Sequence, residues 1–558
     1  MGIPSYFYSI IRAHGDTFFG SKRRCKRLFL DLNCCIHGCK NRILSSFKDA
    51  IETPSGKKRF ETAVINEVIR TILRFCEETS PSDLLWIAVD GVVPVAKMVQ
   101  QRERRSRAVE DRKHIRELYQ KHGRESPPEW DSNAITPGTP FMINLCDTIL
   151  EKLAMIQSKS GVARIEMNGV RTPGEGEQKI FQYMRNNPGD DSESEDVVYG
   201  LDADLIILSL LQSIRPEQVS PISLLREEQA FGSLVQDEST GEDVLIRFSA
   251  SEFAKMIPRE WSGVDDKTLI LDYIVLMSLM GNDFVPHTPS LTFRAEGMEQ
   301  ILDAYRCVGE RIVCPSSDGV PPIQWDVLGK ILSRLEQGEL RTLKNDSKKT
   351  EMIRGRILAG QVPFRHAIRE DPVDQEIAAM DWAHLSAPDT IRAGTPGWKA
   401  RYYRQISGRY GDTIEPAELV EGVCDEYLYS IWWCWKYYNG GDVPGDRCYS
   451  FASGPLLGDA SVAARDWKES ASLDDFRVED IPVEAQLLVV LPPESHAILP
   501  NWVSEIAKQC PDLYPRGAML WSYGKRHIWE CTAILPRLPI RRISKLVHES
   551  LNVSRVSV

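Results

Sequence analysis

The sequence contains no Cys-x-x-Cys pair, no internal repeat, no sustained heptad pattern and no apolar run long enough to cross a bilayer. Without Cys-x-x-Cys, the commonest zinc-site spacing is missing. Cys34, Cys35 and Cys39 bracket His37, but no second ligand pair completes a metal knuckle. The most apolar segment, residues 269–280, carries Asp272 and falls short of the roughly 20 residues a spanning helix needs. The N-terminus lacks an apolar stretch followed by a small-residue cleavage site, so no secretory leader is expected. Gly2 is followed at position 6 by Tyr6, not Ser or Thr, which argues against myristoylation. No membrane association is expected. An excess of positive charge is missing too. Lys and Arg number 68 against 79 Asp and Glu, a formal charge of −11. That balance excludes a polycation that coats nucleic acid, so any such site must be a local basic patch.

What is present is ordinary for a soluble protein of two or three domains: 558 residues, 42% hydrophobic and 26% charged. Thirteen cysteines, odd in number and scattered, read as reduced and intracellular. The cytoplasm is favoured over the nucleus.

Residues 1–245 alternate strand-like and helix-like segments. The clear strands are 28–32, 84–89 and 197–201, and helical periodicity runs over 60–78 and 141–158. Residues 187–196 read as a solvated acidic loop. From 246 the character turns helical, best at 267–280 and 325–339, with 341–396 partly a linker. The aromatic-rich stretch 398–440, which includes Tyr410, reads as core, and 486–493 and 531–536 as short strands.

Three apolar runs end in an aspartate: Asp31, Asp90 and Asp202. In a parallel α/β sheet ligands bind outside the carboxyl ends of the strands, so these three are expected at one rim. Asp204 follows Asp202 at once, and Asp283 follows the apolar segment 269–280. Glu175 and Glu177 stand in Pro-Gly-Glu-Gly-Glu, where Gly174 and Gly176 let the chain bend so that both point into one cavity. Capping accounts for any single one of these acids, but not for Glu-Gly-Glu together with Asp-Ala-Asp. Carboxylates this close to core-forming residues need a compensating cation, and oxygen-only ligands suit Mg²⁺ or Mn²⁺.

A helix starting near Val95 would align Lys97, Gln101, Arg104 and Arg105 on one face. A solvated face, with Glu103, Glu110 and Asp111 pairing the arginines, is the plain reading. Adjacency to Asp90 favours a phosphate site held by charge-assisted bonds. The runs Lys22-Arg23-Arg24 and Lys57-Lys58-Arg59 read as ordinary surface.

These residues resemble the XRN family of 5′→3′ exoribonucleases. The likeness runs in order through Met1–Pro4, Leu30–Asn33 with His37, Val89–Gly91, Ala96–Met98, Gln100–Arg102, Arg104-Arg105 and Ile135–Thr139. It continues through Pro173–Glu177, Tyr199–Ile206, Gly281–Phe284, Arg401–Tyr403, Tyr437-Tyr438, Leu491–Pro493 and Trp529-Glu530. It implies an α/β fold: a mostly parallel nuclease core (PIN/FEN-like) over 1–245, and a largely helical middle domain over 246–558 that completes the site with Asp283. It further implies hydrolysis of single-stranded 5′-monophosphate RNA to nucleoside 5′-monophosphates with two Mg²⁺ ions, Mn²⁺ being the alternative. The metal ligands would be Asp31, Asp90, Glu175, Glu177, Asp202, Asp204 and Asp283. Lys97, Gln101, Arg104 and Arg105 would form the 5′-phosphate pocket, and His37 with Trp432 the stacking platform. The protein is expected to act as a monomer restricted to the family's conserved core. Decapping or other decay factors are compatible partners, though no residue identifies one. Departures from the family pattern are Val99, Gln178 and the run Gly441–Asp446, where a tryptophan-rich stretch is usual. The rival readings are a FEN-like 5′ DNA nuclease and an inactive RNA-binding scaffold. The second requires the loss of an acid, and none is lost.

Overall fold

The computed structural model describes the chain apart from residues 1–5, 16, 21–22, 231–232, 238–240, 263–265, 315, 317–318, 362–370, 409–413, 470–475, 515–518 and 557–558. The Met1–Pro4 run, Lys22 and Tyr410 lie outside the described residues.

The frame is a sheet of β1 (Arg24–Asp31), β2 (Leu84–Ala88), β3 (Arg164–Asn168), β4 (Ser194–Tyr199) and β5 (Ile222–Glu227). After a small hairpin, β6 (Gln229–Ala230) and β7 (Ser233–Leu234), comes the edge strand β8 (Leu245–Ser249). The order is β3-β2-β1-β4-β5-β8, parallel throughout except for antiparallel β8. The chain builds outward from β1 to β3, then returns to place β4 on the other side of β1. The β1/β4 boundary is therefore the switch point at which such sheets form a crevice. Register sets Asp31 opposite Ala88 and Leu30 opposite Tyr199, which carries Asp31, Asp90 and Asp202 to the same edge.

Both faces of the sheet are covered, so the strands read as continuous apolar runs whose alternate residues enter different cores. Leu28, Leu30, Leu85, Ile87 and Val197 pack with helices Pro54–Thr79 and Pro140–Ser160. Phe29, Trp86, Ala88 and Val198 enter the larger core, which continues into the helical part through Tyr273, Leu328 and Trp433. One hydrophobic body thus joins the sheet to the helices.

Several expectations change. Helix Trp325–Leu358 runs far past residue 341, so the segment read as partly a linker begins as rigid rod. Residues 486–490 belong to helix Val483–Val490, not a strand. It is buried among Val92, Val93 and Met98, and a short, wholly buried apolar run carries no period to separate the two. Residues 532–534 do form a strand, β10 (Thr532–Ile534), paired with β9 (Met519–Trp521). The acidic segment 187–196 is solvated only in part. Asp190 is exposed and pairs with Lys26, whereas Asp196 is buried inside β4. Its carboxylate accepts from Arg27 Nε at 2.7 Å and from Gln218 Nε2 at 2.9 Å, while another Arg27 nitrogen donates to the Asn187 carbonyl.

These two ion pairs make a controlled comparison. Asp196→Ala would leave Arg27 buried and uncompensated, and chemical denaturation should show a loss of about 3–5 kcal/mol. Asp190→Ala removes only a solvated partner and should leave the denaturation midpoint unchanged.

Candidate active site

Each acid is delivered by the end of an element. Asp31 closes β1, and helix Leu32–Ser46 starts at the next residue. Asp90 lies two residues beyond β2 and is held on both oxygens. Asn33 Nδ2 donates to Oδ2 and the Gly176 amide to Oδ1, both at 2.7 Å. Glu175 precedes helix Gly176–Asn186, Glu177 sits in its first turn, and Asp204 opens helix Asp204–Ser213. The partial positive charge of two helix N-termini thus faces the carboxylates. Asp283 comes from the helical part, after a left-handed Gly281 at φ +83°. The Asn282 side chain fixes that turn by accepting from the Phe284 and Val285 amides at 2.9 and 2.8 Å.

The two glycines of Gly-Glu-Gly-Glu serve different ends. Gly174 has φ +106° and needs glycine for its backbone conformation. Gly176 has an ordinary φ, but a Cβ there would stand 2.6 Å from Asp31 Oδ1. Its requirement is room, not bending.

Asp202, Asp204 and Asp283 bring carboxylate oxygens within 4.8 Å of one another. Lys97 reaches in from helix Val95–Lys121, with Nζ 2.7 Å from Asp283 Oδ2 and 2.9 Å from Glu175 Oε2. It therefore lies among the acids, not on an open face of the basic helix. Burial alone would lower its pKa, but the Asp283 and Glu175 carboxylates raise it well above the usual range. The same ammonium holds Asp283 below the carboxylate range against the upward push of burial. Among the described residues, Asp31, Glu177 and Asp204 have no such close cation. Burial, then Asp90 and Asp202, push Asp31 up to about 8, and burial raises Glu177 and Asp204 well above normal. Asp31 Oδ1 and both oxygens of Glu177 and Asp204 are buried with no hydrogen-bond partner. One lysine does not balance this charge. Hard oxygen donors left uncompensated fit divalent Mg²⁺ or Mn²⁺, and Asp202, Asp204 and Asp283 form a candidate metal triad.

The remaining residues of the basic helix divide. Gln101 and Arg105 are buried, and Gln101 Oε1 and one Arg105 terminal nitrogen lack partners. Burial, reinforced by Arg104, lowers the Arg105 pKa to about 9. Arg104 is exposed. His37 is open to solvent but walled by protein; that desolvation, then Arg104, Lys40 and Arg105, push its pKa down to about 4. Its imidazole is neutral at physiological pH. Cys35 and Cys39 point away into the core, with their sulfurs 3.8 Å apart, and form no knuckle with His37. Trp432 comes from helix Pro416–Tyr438 in the helical part. It is 7% exposed, packed on Tyr429 at 5.1 Å and lying under Lys436.

Sequence reasoning missed four residues. Asn33 orients Asp90, Gln100 Nε2 donates to Asp283 Oδ1 at 3.3 Å, and Tyr437 donates to Glu175 Oε1 at 3.1 Å. Lys179 Nζ ties the carbonyls of Val89 and Gly169 at 2.7 and 3.1 Å. Gln100 could have been suspected one turn from Lys97; Tyr437 was indistinguishable from a core aromatic. The divergent run Gly441–Asp446 braces the site's wall: the Val95 amide donates to the Gly445 carbonyl and Trp433 Nε1 to the Pro444 carbonyl, both at 2.9 Å.

The chain matches the family model described as XRN 5′-3′ exonuclease N-terminus over residues 1–228. It matches the model described as Xrn1 helical domain over 263–363 and 374–552. A 5′-3′ exoribonuclease 2 homolog of Drosophila melanogaster is 25% identical over 93% of this chain and 65% of its own length. The 5′-3′ exoribonuclease 1 of Schizosaccharomyces pombe is 25% identical over 92% of this chain and 46% of its own length. That of Homo sapiens is 32% identical over 55% and 18%. The chain thus spans less than two thirds of the length of these curated relatives.

A divalent ion that relieves the acids should stabilise the fold by linkage, about 2.7 kcal/mol at a concentration 100-fold above its Kd. Mg²⁺ or Mn²⁺ should raise the unfolding temperature, and a chelator should reverse the rise. Asp204→Asn and Gly176→Ala should lose most of the increment. An equal shift in the parent and both variants would locate the ion elsewhere.

Proposed function

Because the chain belongs to the XRN 5′-3′ exonuclease family, we propose that it degrades single-stranded RNA carrying a 5′-monophosphate, from the 5′ end, to nucleoside 5′-monophosphates. The observation that carries this reading is a single helix serving two places. Its Lys97 enters the acid cluster, and one and two turns further on Gln101 and Arg105 present buried polar atoms that lack partners. A terminal phosphate held by Gln101, Arg104 and Arg105 would put the next phosphodiester at the acids. Polarity then follows from geometry, since only a free end can reach the arginines.

In this reading Asp31, Asp90, Glu175, Glu177, Asp202, Asp204 and Asp283 hold two divalent ions, Mg²⁺ by preference and Mn²⁺ as the alternative. Such ions supply an activated water and stabilise charge on the leaving oxygen. The chain's own groups do the positioning. Asn33 and the Gly176 amide fix Asp90, Tyr437 fixes Glu175, and Lys97 pairs with Asp283 and Glu175 and opposes the upward push of burial on both. His37, neutral and accessible, offers a flat face to a base beside the phosphate pocket. The nuclease part, residues 1–245, would not be complete without Asp283 from residues 246–558. The protein would act as a monomer inside the cell, in the cytoplasm before the nucleus; thirteen unpaired cysteines accord with a reducing compartment.

The test is digestion of matched RNAs with 5′-phosphate, 5′-hydroxyl or 5′-triphosphate ends, alongside DNA, in Mg²⁺. The 5′-phosphate RNA should be degraded fastest, and Asp202→Asn or Asp204→Asn should nearly abolish turnover. Arg105→Ala should cut the preference for 5′-phosphate over 5′-hydroxyl RNA by roughly tenfold or more, the equivalent of one charge-assisted contact. Arg104→Ala should act in the same direction. Near-parental turnover in both aspartate variants, or equal activity on DNA, would defeat the reading.

A further inference from the structure

The turn that presents Asp283 to the other acids belongs to no helix or strand, so other contacts must hold it. Inside the turn, the Asn282 amide donates to the Val285 carbonyl at 2.8 Å. A Cβ on Gly281 would stand 2.7 Å from the His287 amide nitrogen, so the chain folds back on itself here. On one side Phe284 packs on Trp433 and Tyr437, with ring centroids 5.3 and 5.4 Å away. On the other side the turn ends at His287, whose carbonyl accepts from the Gly454 amide at 3.1 Å.

The His287 ring meets Lys525, with Nζ 2.6 Å from Nε2. The Thr288 carbonyl accepts from Nδ1 at 2.8 Å, which places the ring proton there and leaves Nε2 as an acceptor. Loss of solvent, then Lys525, pushes His287 down to about 3, so the ring is neutral and the contact is donor to acceptor, not cation to cation. Both residues line a cavity of about 590 Å³ that also reaches Asp283, so close packing does not force them together. Among the described residues, His287 is the only side-chain hydrogen-bond partner of the Lys525 ammonium. Glu530, the carboxylate that most supports its charge, is taken by the Arg294 guanidinium at 2.7 Å and the Arg526 amide at 2.8 Å. That Arg294 pair ties the Lys525 segment a second time to the chain just past the turn.

We propose that Lys525 is a positioning residue for Asp283: through His287 it holds the turn that aims this carboxylate at Asp202 and Asp204. The inference rests on the proposed function, with a divalent ion held by that triad. Lys97 and Gln100 act on the Asp283 carboxylate itself. The Lys525 contact acts on the backbone that carries it. A ligand on a short irregular turn is only as well placed as the turn, and the supports behind metal ligands are typically worth roughly ten- to a hundredfold in metal affinity or activity.

The experiment follows the unfolding temperature of the full chain against Mg²⁺ concentration, beside digestion of 5′-phosphate RNA at each concentration. Lys525→Met should raise the Mg²⁺ needed for half of the thermal increment, and for half-maximal turnover, by roughly ten- to a hundredfold. The KM for RNA at saturating Mg²⁺ should not change. His287→Leu should do the same, and combining the two should add little, because both break one contact. His287→Gln should keep most of the parent's Mg²⁺ dependence, since its Oε1 can accept from Lys525 where Nε2 stood. Should one single variant fail to fold, the other carries the test. A lysine that only stabilises the fold would lower the unfolding temperature without Mg²⁺ and leave the Mg²⁺ midpoint in place; that result, or full additivity, overturns the assignment. Absence of any Mg²⁺ increment in the parent overturns it as well. If the parent binds Mg²⁺ yet degrades no 5′-phosphate RNA, the proposed function fails by itself, and the thermal titration still decides the role of Lys525.

Discussion

Negative charge crowded into a buried space is the constraint on which the rest of the structure turns. Two carboxylates 4.8 Å apart repel by about 3 kcal/mol at an effective dielectric of 20, and Asp202, Asp204 and Asp283 bring three together within that distance. Asp31, Asp90, Glu175 and Glu177 add to the field. The protein answers with two helix N-termini, the Gly176 amide among them, and the Lys97 ammonium between Glu175 and Asp283. These devices are not enough, as the partnerless oxygens of Asp31, Glu177 and Asp204 attest. The site is built to be completed by cations.

Meeting that constraint dictates the architecture around it. A parallel sheet with a switch point at β1/β4 gathers the strand-end aspartates at one edge, and close approach of the Gly176 backbone to Asp31 seals the cluster. The helical part is no appendage, because it contributes Asp283 and, through Tyr437, a hydrogen bond to Glu175. Its core is continuous with one face of the sheet. Packing therefore fixes the distance between residues from opposite ends of the chain. The divergent Gly441–Asp446 run takes part in this by docking on the start of the basic helix.

The basic helix joins the acid cluster to the buried polar groups beside it. Residues 97 to 107 change role with each part-turn. Lys97 enters the acids, Gln101 and Arg105 face inward, Arg104 stays exposed, and Arg102 donates to the Pro536 carbonyl at 2.7 Å. A helix anchored on one side by carbonyls and on another by carboxylates is a stiff ruler. Under the proposed function, that stiffness sets the interval between the bound terminal phosphate and the acids.

Much of this was legible in the sequence. The strands were readable as apolar runs ending in aspartate, since burial on both faces leaves that mark. The Glu-Gly-Glu and Asp-Ala-Asp pairs announced a cation site because no other use excuses such charge beside core residues. The basic helix and its start near Val95 were readable from period and punctuation. Contacts between distant positions were not. Tyr437 and Glu175 are 262 positions apart, and nothing local distinguishes that tyrosine from its core neighbours. Trp432 and Trp433 are adjacent letters, yet one packs under Lys436 while the other meets Phe284 and Tyr437 beside the acids. The seclusion of Lys97, the room needed at Gly176 and the burial of Asp196 likewise arise only when separate segments meet. Sequence by itself determined which chemistry the chain carries, because residue type and short-range period are local properties. Tertiary structure decided which side chain stands next to which, because that depends on how the elements pack.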